Sequence, residues 1–377
     1  ANDNCFTVTT AHQPNIFTGH LYFIYKILHA IRLCEKLKAT MPENDFVPVY
    51  YMGSEDADLD ELGHVYINGI KHEWKTKQTG AVGRMKVDEA LIQMLDAIEG
   101  EIVVDPFGKE IIGQMKACYV EGTTIEQATF KIVNALFSEY GLIIVLPDDA
   151  DLKRAFIPVV EKELTSQFSH SLVQETATRF PKEYKVQAGG RELNMFYLKD
   201  DSRERIESVD GQWSIINSEQ KFTEPEIVQE LHEHPERFSP NVILRPVFQE
   251  MILPNIAFIG GGGEIAYWLE LKRVFTAVQV PFPVLVLRNS FLLAEKAHTA
   301  KAGRLGFNTA DLFKTETALL NVLVKRDSEV QLSLEKEQKE LGGFYDRLFL
   351  TAGAVDPTLE KHTASLHAQA IKKIEAL

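Results

Sequence analysis

Two histidines and a glutamine lie in a turn between a strand-like and a helix-like apolar run, in the stretch TTAHQPNIFTGHLYFIYKI. His12, Gln13 and His20 offer hydrogen bonds and proton transfer, and Gly19 shapes the turn. Thr18 is a candidate cap for the following helix, whose first backbone amides could bind an anion. Because a histidine in a turn is more often a hydrogen-bonding residue than a catalyst, both interpretations stay open. The turn is a candidate ligand site, with His20 as a candidate catalytic residue.

A second turn, GSEDADLDELGH, follows the buried-strand pattern FVPVYYM and carries five carboxylates within seven residues. These carboxylates repel one another unless they meet an amine, a metal ion or solvent. Glu55, Asp56 and Asp58 are therefore candidate general bases, and Ser54 is a candidate binding residue. The alternative is a solvated loop that begins a helix, since acidic residues suit a first helical turn. The spacing excludes an EF-hand, which needs its central glycine and terminal glutamate elsewhere.

A glycine run in IGGGGEIAYW lies between a strand pattern and a helix pattern. Gly261, Gly263 and Ala266 satisfy the G-x-G-x-x-A spacing that brings backbone amides close to a phosphate, with Gly262 between them. Glu264 places a carboxylate at the positive end of the helix, where the phosphate would bind. The loop is therefore a candidate site for an amine or a sugar hydroxyl as well as for a phosphate.

Two arginines lie in the segments ILRPVFQE and VLVLRNS, and the second follows a predicted strand. Arg245 and Arg288 could each bind a carboxylate or phosphate through two hydrogen bonds, because a guanidinium is planar. A surface ion pair is the alternative for both. Gln249, Tyr267 and Trp268 are the remaining candidate binding residues in these segments and the glycine-loop helix.

The elements that must position these groups alternate between short Val/Ile/Leu-rich runs and longer helical patterns. Continuous apolar strands separated by helices are typical of a parallel sheet covered on both faces, so we predict an α/β, doubly wound core over residues 1–290. Ligands of such sheets bind at the carboxyl ends of the strands. The two turns, the glycine run and the arginines are therefore expected to converge.

Two stretches do not fit a parallel core and are predicted to be small β-rich insertions, at about residues 62–87 and 184–216. The first has alternating apolar residues on both sides of Asn68-Gly69, a typical hairpin turn. The second carries Gly189-Gly190 within a similar pattern.

Residues 291–377 are predicted to form a helical region with leucines at heptad spacing. Leu323 and Val330 form one set, and the pattern is predicted to break at Gly353 and Pro357. The other leucines of the pattern are Leu334, Leu341, Leu348, Leu359 and Leu366. Two long helices folded back on each other, forming a coiled coil that dimerises, explain this spacing; an ordinary helical subdomain is the alternative. The last residues still show a helical pattern and the first residue is not methionine, so we expect further residues at both ends.

The formal net charge of −14 argues against nucleic acid or a membrane surface as the main partner, since both require clustered Lys and Arg. The three cysteines lack the spacing of a metal site and suit reduced thiols in a cytoplasmic protein. The longest apolar stretch is interrupted by proline and glycine and is too short to span a bilayer.

Four segments in order resemble the bacillithiol biosynthesis cysteine-adding enzymes, the BshC-type cysteine ligases. They read HQPNIFTGHLYFIYK, VPVYYMGSEDADLDEL, ILRPVFQEMILPNIAFIGGGGEIAYWLELK and PFPVLVLRNS, followed by the heptad region. The resemblance runs from about residue 7 to the end. It implies a Rossmann-like core with connecting insertions, a dimerising coiled coil, and a reaction joining the cysteine carboxylate to the amine of glucosaminyl malate. The opening turn alone is also similar to the His-containing signature of class I aminoacyl-tRNA synthetases and nucleotidyltransferases.

The partners that the resemblance implies are cysteine and glucosaminyl malate, with no nucleic acid and no membrane, in a homodimer. ATP or another adenine nucleotide is a candidate co-substrate, but no KMSKS-like lysine loop is visible, so the means of activation stays open. The main alternative is a metal-dependent sugar-nucleotide glycosyltransferase that uses Asp56 and Asp58, which form a D-x-D after a strand. A coiled-coil scaffold that binds a ligand without turnover is a third.

Overall fold

The computed structural model describes residues 4–181, 183, 185–328 and 333–375. The chain divides into two compact units, Ala1–Phe291 and Leu292–Leu377. The strands are β1 Cys5–His12, β2 Asp45–Met52, β3 His64–Ile67, β4 Ile70–Glu73, β5 Ile143–Val145, β6 Met195–Leu198, β7 Arg203–Val209, β8 Gln212–Ile215, β9 Lys221–Thr223, β10 Phe238–Pro240, β11 Asn255–Gly260 and β12 Val284–Leu287.

The helices of the first unit are α1 Tyr22–Thr40, α2 Leu59–Leu62, α3 Glu89–Ile102, α4 Gly108–Cys118, α5 Ile125–Phe137, α6 Ala150–Ser166, α7 Phe168–Arg179, α8 Glu224–Glu233, α9 Arg245–Ile252, α10 Gly262–Glu270 and α11 Lys272–Ala277. Those of the second unit are α12 Lys296–Arg304, α13 Glu316–Asp327, α14 Glu335–Val355 and α15 Thr358–Glu375. Short 3-10 helices cover Ile16–Thr18, Val82–Arg84, Ser138–Tyr140, Pro235–Arg237 and Asp311–Phe313. No helix in the described part of the chain is long and apolar enough to cross a membrane.

A five-stranded parallel sheet in the order β12-β11-β1-β2-β5 forms the centre of the first unit. Counted along the chain, its strands have the order 3-2-1-4-5, that of the first five strands of the Rossmann sheet, which confirms the predicted fold class. The order reverses between β1 and β11. Ligands of open α/β sheets bind outside the carboxyl ends of the strands at this switch point.

Helices cover both faces of the sheet because successive strand residues point to opposite sides. Tyr50 packs against Phe23 of α1, with ring centroids 5.1 Å apart, while Tyr51 packs against Phe248 of α9 on the other face, 6.5 Å away. All four side chains are buried. This two-sided burial is the doubly wound arrangement that the apolar strand runs predict.

The opening turn after β1 differs from the sequence prediction in how α1 begins. Leu21 occupies the N-cap of α1 and no side chain caps it, so the capping role predicted for Thr18 is wrong. Thr18 instead ends a 3-10 turn with a positive φ of 69°. Gly19 follows with φ 56° and ψ −134°, and a Cβ there would lie 2.5 Å from Asn15 Cβ, so this turn requires glycine.

The first insertion folds as predicted: β3 and β4 pair antiparallel around Asn68 and Gly69, whose φ angles are 50° and 83°. The second is larger than predicted, an antiparallel sheet in the order β10-β6-β7-β8-β9. Its tight turn between β7 and β8 lies at Asp210-Gly211, while Gly189 and Gly190 precede β6 in a segment without strands. Tyr184, the first residue of the predicted insertion, lies outside the described residues.

In the second unit α14 and α15 pack against each other, with Tyr345 and His367 stacked 4.9 Å apart. The helix break falls at Asp356 and Pro357; Gly353 remains within α14, contrary to the prediction. Val330 lies outside the described residues. Leu334 occupies the N-cap position of α14, and its side chain is exposed, as are those of Leu348, Leu359 and Leu366.

We predict that Leu334, Leu341 and Leu348 are buried when two chains associate. Replacing all three by Asp should strongly weaken the self-association seen by light scattering at micromolar concentration, because each buried leucine contributes on the order of 2 kcal/mol. Leu305→Asp, an exposed leucine after α12, is the control and should leave association unchanged. A wild type that is monomeric at that concentration contradicts the prediction.

Candidate functional site

Side chains from α1, α9, α10 and the end of β12 meet at the switch point. Arg245 at the start of α9 donates from Nη2 to the hydroxyl of Tyr267, 2.8 Å away. The Arg288 guanidinium lies over the ring of Tyr22, 4.8 Å from its centroid, and the Arg288 backbone N–H donates to the Gly260 carbonyl at 2.8 Å. The structure thus brings Arg245 and Arg288, which come from two separate predicted segments, to the same end of the sheet, as the strand order requires.

Lys26 of α1 is the central cation of this site and was not predicted. Its ammonium is buried and donates to the Ala11 carbonyl at the end of β1 and to Glu264 Oε2, 2.6 Å away. Burial lowers the pKa of Lys26, and the Glu264 carboxylate opposes that effect. A signal was present in the sequence, because Lys26 falls on the helical stripe of Phe23, Ile27 and Ala30, which faces the core.

The carboxylate of Glu264, at the start of the helix that follows the glycine loop, binds the backbone of that loop. Glu264 Oε2 also accepts from the Gly261 backbone N–H at 2.8 Å, so it occupies the positive end of α10. A Cβ at Gly262 or Gly263 would have no protein atom within 4 Å. Neither glycine is required by the packing of the chain, so their small size leaves room for a ligand.

Arg245 is a guanidinium without a carboxylate partner within ion-pair distance in the described part of the chain. Its two hydrogen-bond partners, Gln249 Oε1 at 3.3 Å and the Tyr267 hydroxyl, are neutral, and its remaining neighbour is the ring of Tyr51 at 5.6 Å. Such a cation is costly unless it binds an anion. With Lys26 and Arg288 against the single carboxylate of Glu264, the crevice carries a surplus of positive charge.

The two histidines of the opening turn have different environments. Burial, followed by the charges of Lys26, His20 and Arg288, holds the pKa of His12 well below its usual range, so its imidazole is neutral at physiological pH. His12 Nε2 has no hydrogen-bond partner among the residues that the structure describes. His20 is exposed and stacks on Tyr22, with ring centroids 5.5 Å apart.

The acidic loop divides into a buried part and an exposed part. Asp56 accepts from the Gln13 side chain at 3.1 Å, which ties this loop to the opening turn. Asp58 is exposed and caps α2 by accepting from the Glu61 backbone N–H at 3.0 Å. Burial, then Asp56 and Asp58, raises the pKa of Glu61, a carboxyl group that the sequence interpretation did not single out.

Glu55 belongs to a buried ion network rather than to the open part of the loop. It pairs with Lys153 of α6 and accepts from Ser239 Oγ at 3.1 Å. Asp148 joins Lys153, 3.3 Å away, to Arg84, which donates to it through Nε and Nη2 at 2.6 and 2.8 Å. The network connects the acidic loop, the end of β5, the first insertion and the second sheet. Glu55 is therefore a structural carboxylate.

Three other predicted binding residues are buried away from the open crevice. Trp268, predicted to bind a ligand, is fully buried and stacks on Phe258 at 4.2 Å, so it is a core residue. Gln249 is also fully buried and reaches the crevice only through Arg245. Ser54 is buried under the backbone of Gly83, where a Cβ would lie 2.5 Å from the Ser54 carbonyl oxygen.

The comparisons with known proteins agree on one family. The family model described as "Bacillithiol biosynthesis BshC, N-terminal Rossmann-like domain" matches residues 1–289 of the chain. A Flavobacterium johnsoniae protein named "Putative cysteine ligase BshC" is 41% identical over 377 residues, which cover 100% of this chain and 70% of that protein. The chain belongs to the BshC family. Proteins of the same name from Cytophaga hutchinsonii and Christiangramia forsetii are 38% and 39% identical, with 100% and 99% of this chain and 70% of each relative covered.

Membership of the BshC family confirms the resemblance carried by the four sequence segments, and it gives no support to the glycosyltransferase alternative. The D-x-D carboxylates are both engaged within the protein, Asp56 with Gln13 and Asp58 with the start of α2. No group of three or more His, Cys, Asp or Glu side chains in the described ranges is arranged to hold a metal ion.

We predict that Gly262→Val lowers turnover at least about tenfold, because a side chain there displaces the ligand and a displacement of even 1 Å is costly. The thermal midpoint should stay within a few degrees of the wild type, since the added atoms meet no protein atom. Gly100→Val in α3, where a Cβ is equally free, is the control and should keep wild-type turnover. Unchanged turnover in Gly262→Val would remove the glycine loop from the site.

A second prediction concerns Glu126, which lies beside the ion network. Burial raises the pKa of Glu126 to about 7 against the lowering effect of the Ser54 hydroxyl. The folded protein therefore keeps a proton that the unfolded chain loses near pH 4.5, and stability falls as the pH rises between these values. Glu126→Gln should gain stability over the wild type across that range, by up to about 3 kcal/mol. Thermal midpoints from pH 4.5 to 8 measure the gain; exposed Glu121→Gln should show none, and a constant difference contradicts the prediction.

Proposed function

We propose that this chain is a ligase that joins the carboxylate of cysteine to the amine of glucosaminyl malate, forming an amide and completing bacillithiol. The observation that carries the proposal is the partly buried Arg245 guanidinium at the switch point of a BshC-family chain, whose hydrogen-bond partners among the described residues are neutral. Lys26 and Arg288 add further positive charge beside it. The two carboxylates of a malate group, or a phosphate, are anions of the kind that such a cluster binds.

Amide formation needs an activated carboxylate, because a carboxylate is a poor electrophile and the reaction releases water. We propose that an adenine nucleotide supplies the activation: the cysteine carboxylate attacks a phosphate of ATP and forms an acyl adenylate with release of pyrophosphate, or an acyl phosphate with release of ADP. The amine then attacks the acyl carbon, and AMP or inorganic phosphate leaves. We propose that backbone amides of the opening turn, at the start of α1 that no side chain caps, stabilise the developing oxyanion.

The amine must lose a proton before it attacks, and the exposed acidic loop can accept it. Asp58 and Glu61 lie at the start of α2. The link between Gln13 and Asp56 holds this acidic side next to the opening turn. A crevice with cations on one side and carboxylates on the other suits one substrate group that is anionic and another that is an ammonium ion.

The reaction is tested by incubating purified protein with cysteine and glucosaminyl malate, with and without ATP, and detecting the thiol product by mass. We expect product only in the presence of the nucleotide. Arg245→Met, purified in parallel, controls for a contaminating activity and should form little product. Absence of product in every arm of the wild type contradicts the proposed reaction; product without ATP contradicts the activation step.

We predict that Asp58→Asn lowers turnover by about 10²- to 10⁴-fold, the usual cost of losing a general base. Asparagine is as good an N-cap as aspartate, so α2 and the thermal midpoint should be retained. Asp60→Asn in the same loop is the matched control and should keep most of its turnover. Equal losses in both variants, or wild-type turnover in Asp58→Asn, would leave Glu61 as the carboxylate to test.

A further inference from the structure

A chain of buried and partly buried hydrogen bonds runs from Arg245 to the first strand of the sheet. Arg245 Nη1 donates to Gln249 Oε1 at 3.3 Å, and Gln249 Nε2 donates to Glu250 Oε1 at 2.7 Å. Asn255 Nδ2 donates to the same Oε1 at 2.9 Å and to Oε2 at 3.1 Å. On its other side Asn255 Oδ1 accepts from the hydroxyl of Thr9 at 2.9 Å.

The direction of each bond in this chain is fixed by its neighbours. Glu250 Oε1 accepts from two amides, so both amides must turn their nitrogen atoms toward it. The amide oxygen of Gln249 then points the other way, at the Arg245 guanidinium. An amide that turned around would bring its N–H group against N–H groups of Arg245 and lose this bond.

Glu250 itself is shielded from the crevice. Its side chain is buried, and Gln249, which lies between it and Arg245, is fully buried. Burial raises the pKa of Glu250 to about 8, against the lowering effects of Gln249, Asn255 and the charge of Arg245. The oxygen atoms of Glu250 accept from the two amides and make no ion pair with Arg245 in the described part of the chain. The Gln249 amide separates the two groups, so the guanidinium remains available to a ligand.

We propose that Glu250 is a positioning residue, which orients the Gln249 amide and through it holds the Arg245 guanidinium toward the anionic group of the substrate. This inference rests on the proposed function only for the identity of that substrate. Two nitrogen atoms of Arg245 are held from behind, by Gln249 and Tyr267, and its other N–H donors have no hydrogen-bond partner among the described residues, so they can bind a carboxylate. Holding a guanidinium in one rotamer before binding lowers the entropy cost of binding.

The test measures the binding of L-malate, as the simplest probe, and of glucosaminyl malate by titration calorimetry at pH 7. Glu250→Met removes the acceptor and should weaken binding by about tenfold, the size of coupling within one hydrogen-bond network. Glu250→Gln keeps a neutral acceptor of the same shape and should bind as the wild type does. Glu163→Met is the matched control, since Glu163 is a buried carboxyl that accepts from Ser169 and Asn194 instead.

The decisive comparison repeats Glu250→Met in an Arg245→Met background, where a residue that acts only through Arg245 should cause no further loss. Equal losses in both backgrounds, or a loss in Glu250→Gln as large as in Glu250→Met, would overturn the proposal. So would a wild type that binds neither probe, because Arg245 would then hold no anion. Binding by the wild type without product in the turnover assay would instead contradict the proposed function and leave the positioning role standing.

Discussion

The buried ammonium of Lys26 is the contact on which the site depends. It joins the carbonyl at the end of β1 to the carboxylate at the start of α10, and so connects the two sides of the switch point. Burying an ammonium is costly unless its partners compensate for the lost water. Glu264 provides that compensation and at the same time closes the glycine loop through the Gly261 backbone N–H. Removing Glu264 would leave the buried ammonium of Lys26 without its ion-pair partner.

Around the Lys26–Glu264 pair, cations and carboxylates lie on opposite sides of the crevice, a separation that the overall composition does not show. The chain as a whole carries a formal net charge of −14, yet the crevice gathers cations on one side. Carboxylates lie on the other side, where the bond between Gln13 and Asp56 connects them to the opening turn. The net charge therefore argues only against large polyanionic partners, while the local arrangement of charges determines which small ligands the site can bind.

The acidic loop shows why residue type and spacing are an incomplete guide to a role. Glu55, Asp56 and Asp58 look alike in the sequence, but the fold uses them differently. Glu55 meets Lys153 in a buried network, Asp56 binds a side chain of the opening turn, and Asp58 begins a short helix in solvent. Lys153 is far from all three in the sequence, and only the packing of α6 brings it to Glu55.

The sequence by itself determined the parallel sheet and the family, because apolar strand runs, helix periodicity and the four family segments are local patterns. It also placed Arg288 and the glycine run at the carboxyl ends of strands, whereas the strand order, and with it the switch point, came from the structure. Only the tertiary structure decided that Trp268 is a core residue, that Thr18 caps no helix and that Lys26 lies at the centre of the crevice. The physical reason is that burial and ion pairing depend on which distant elements pack together, and a local pattern does not contain that information.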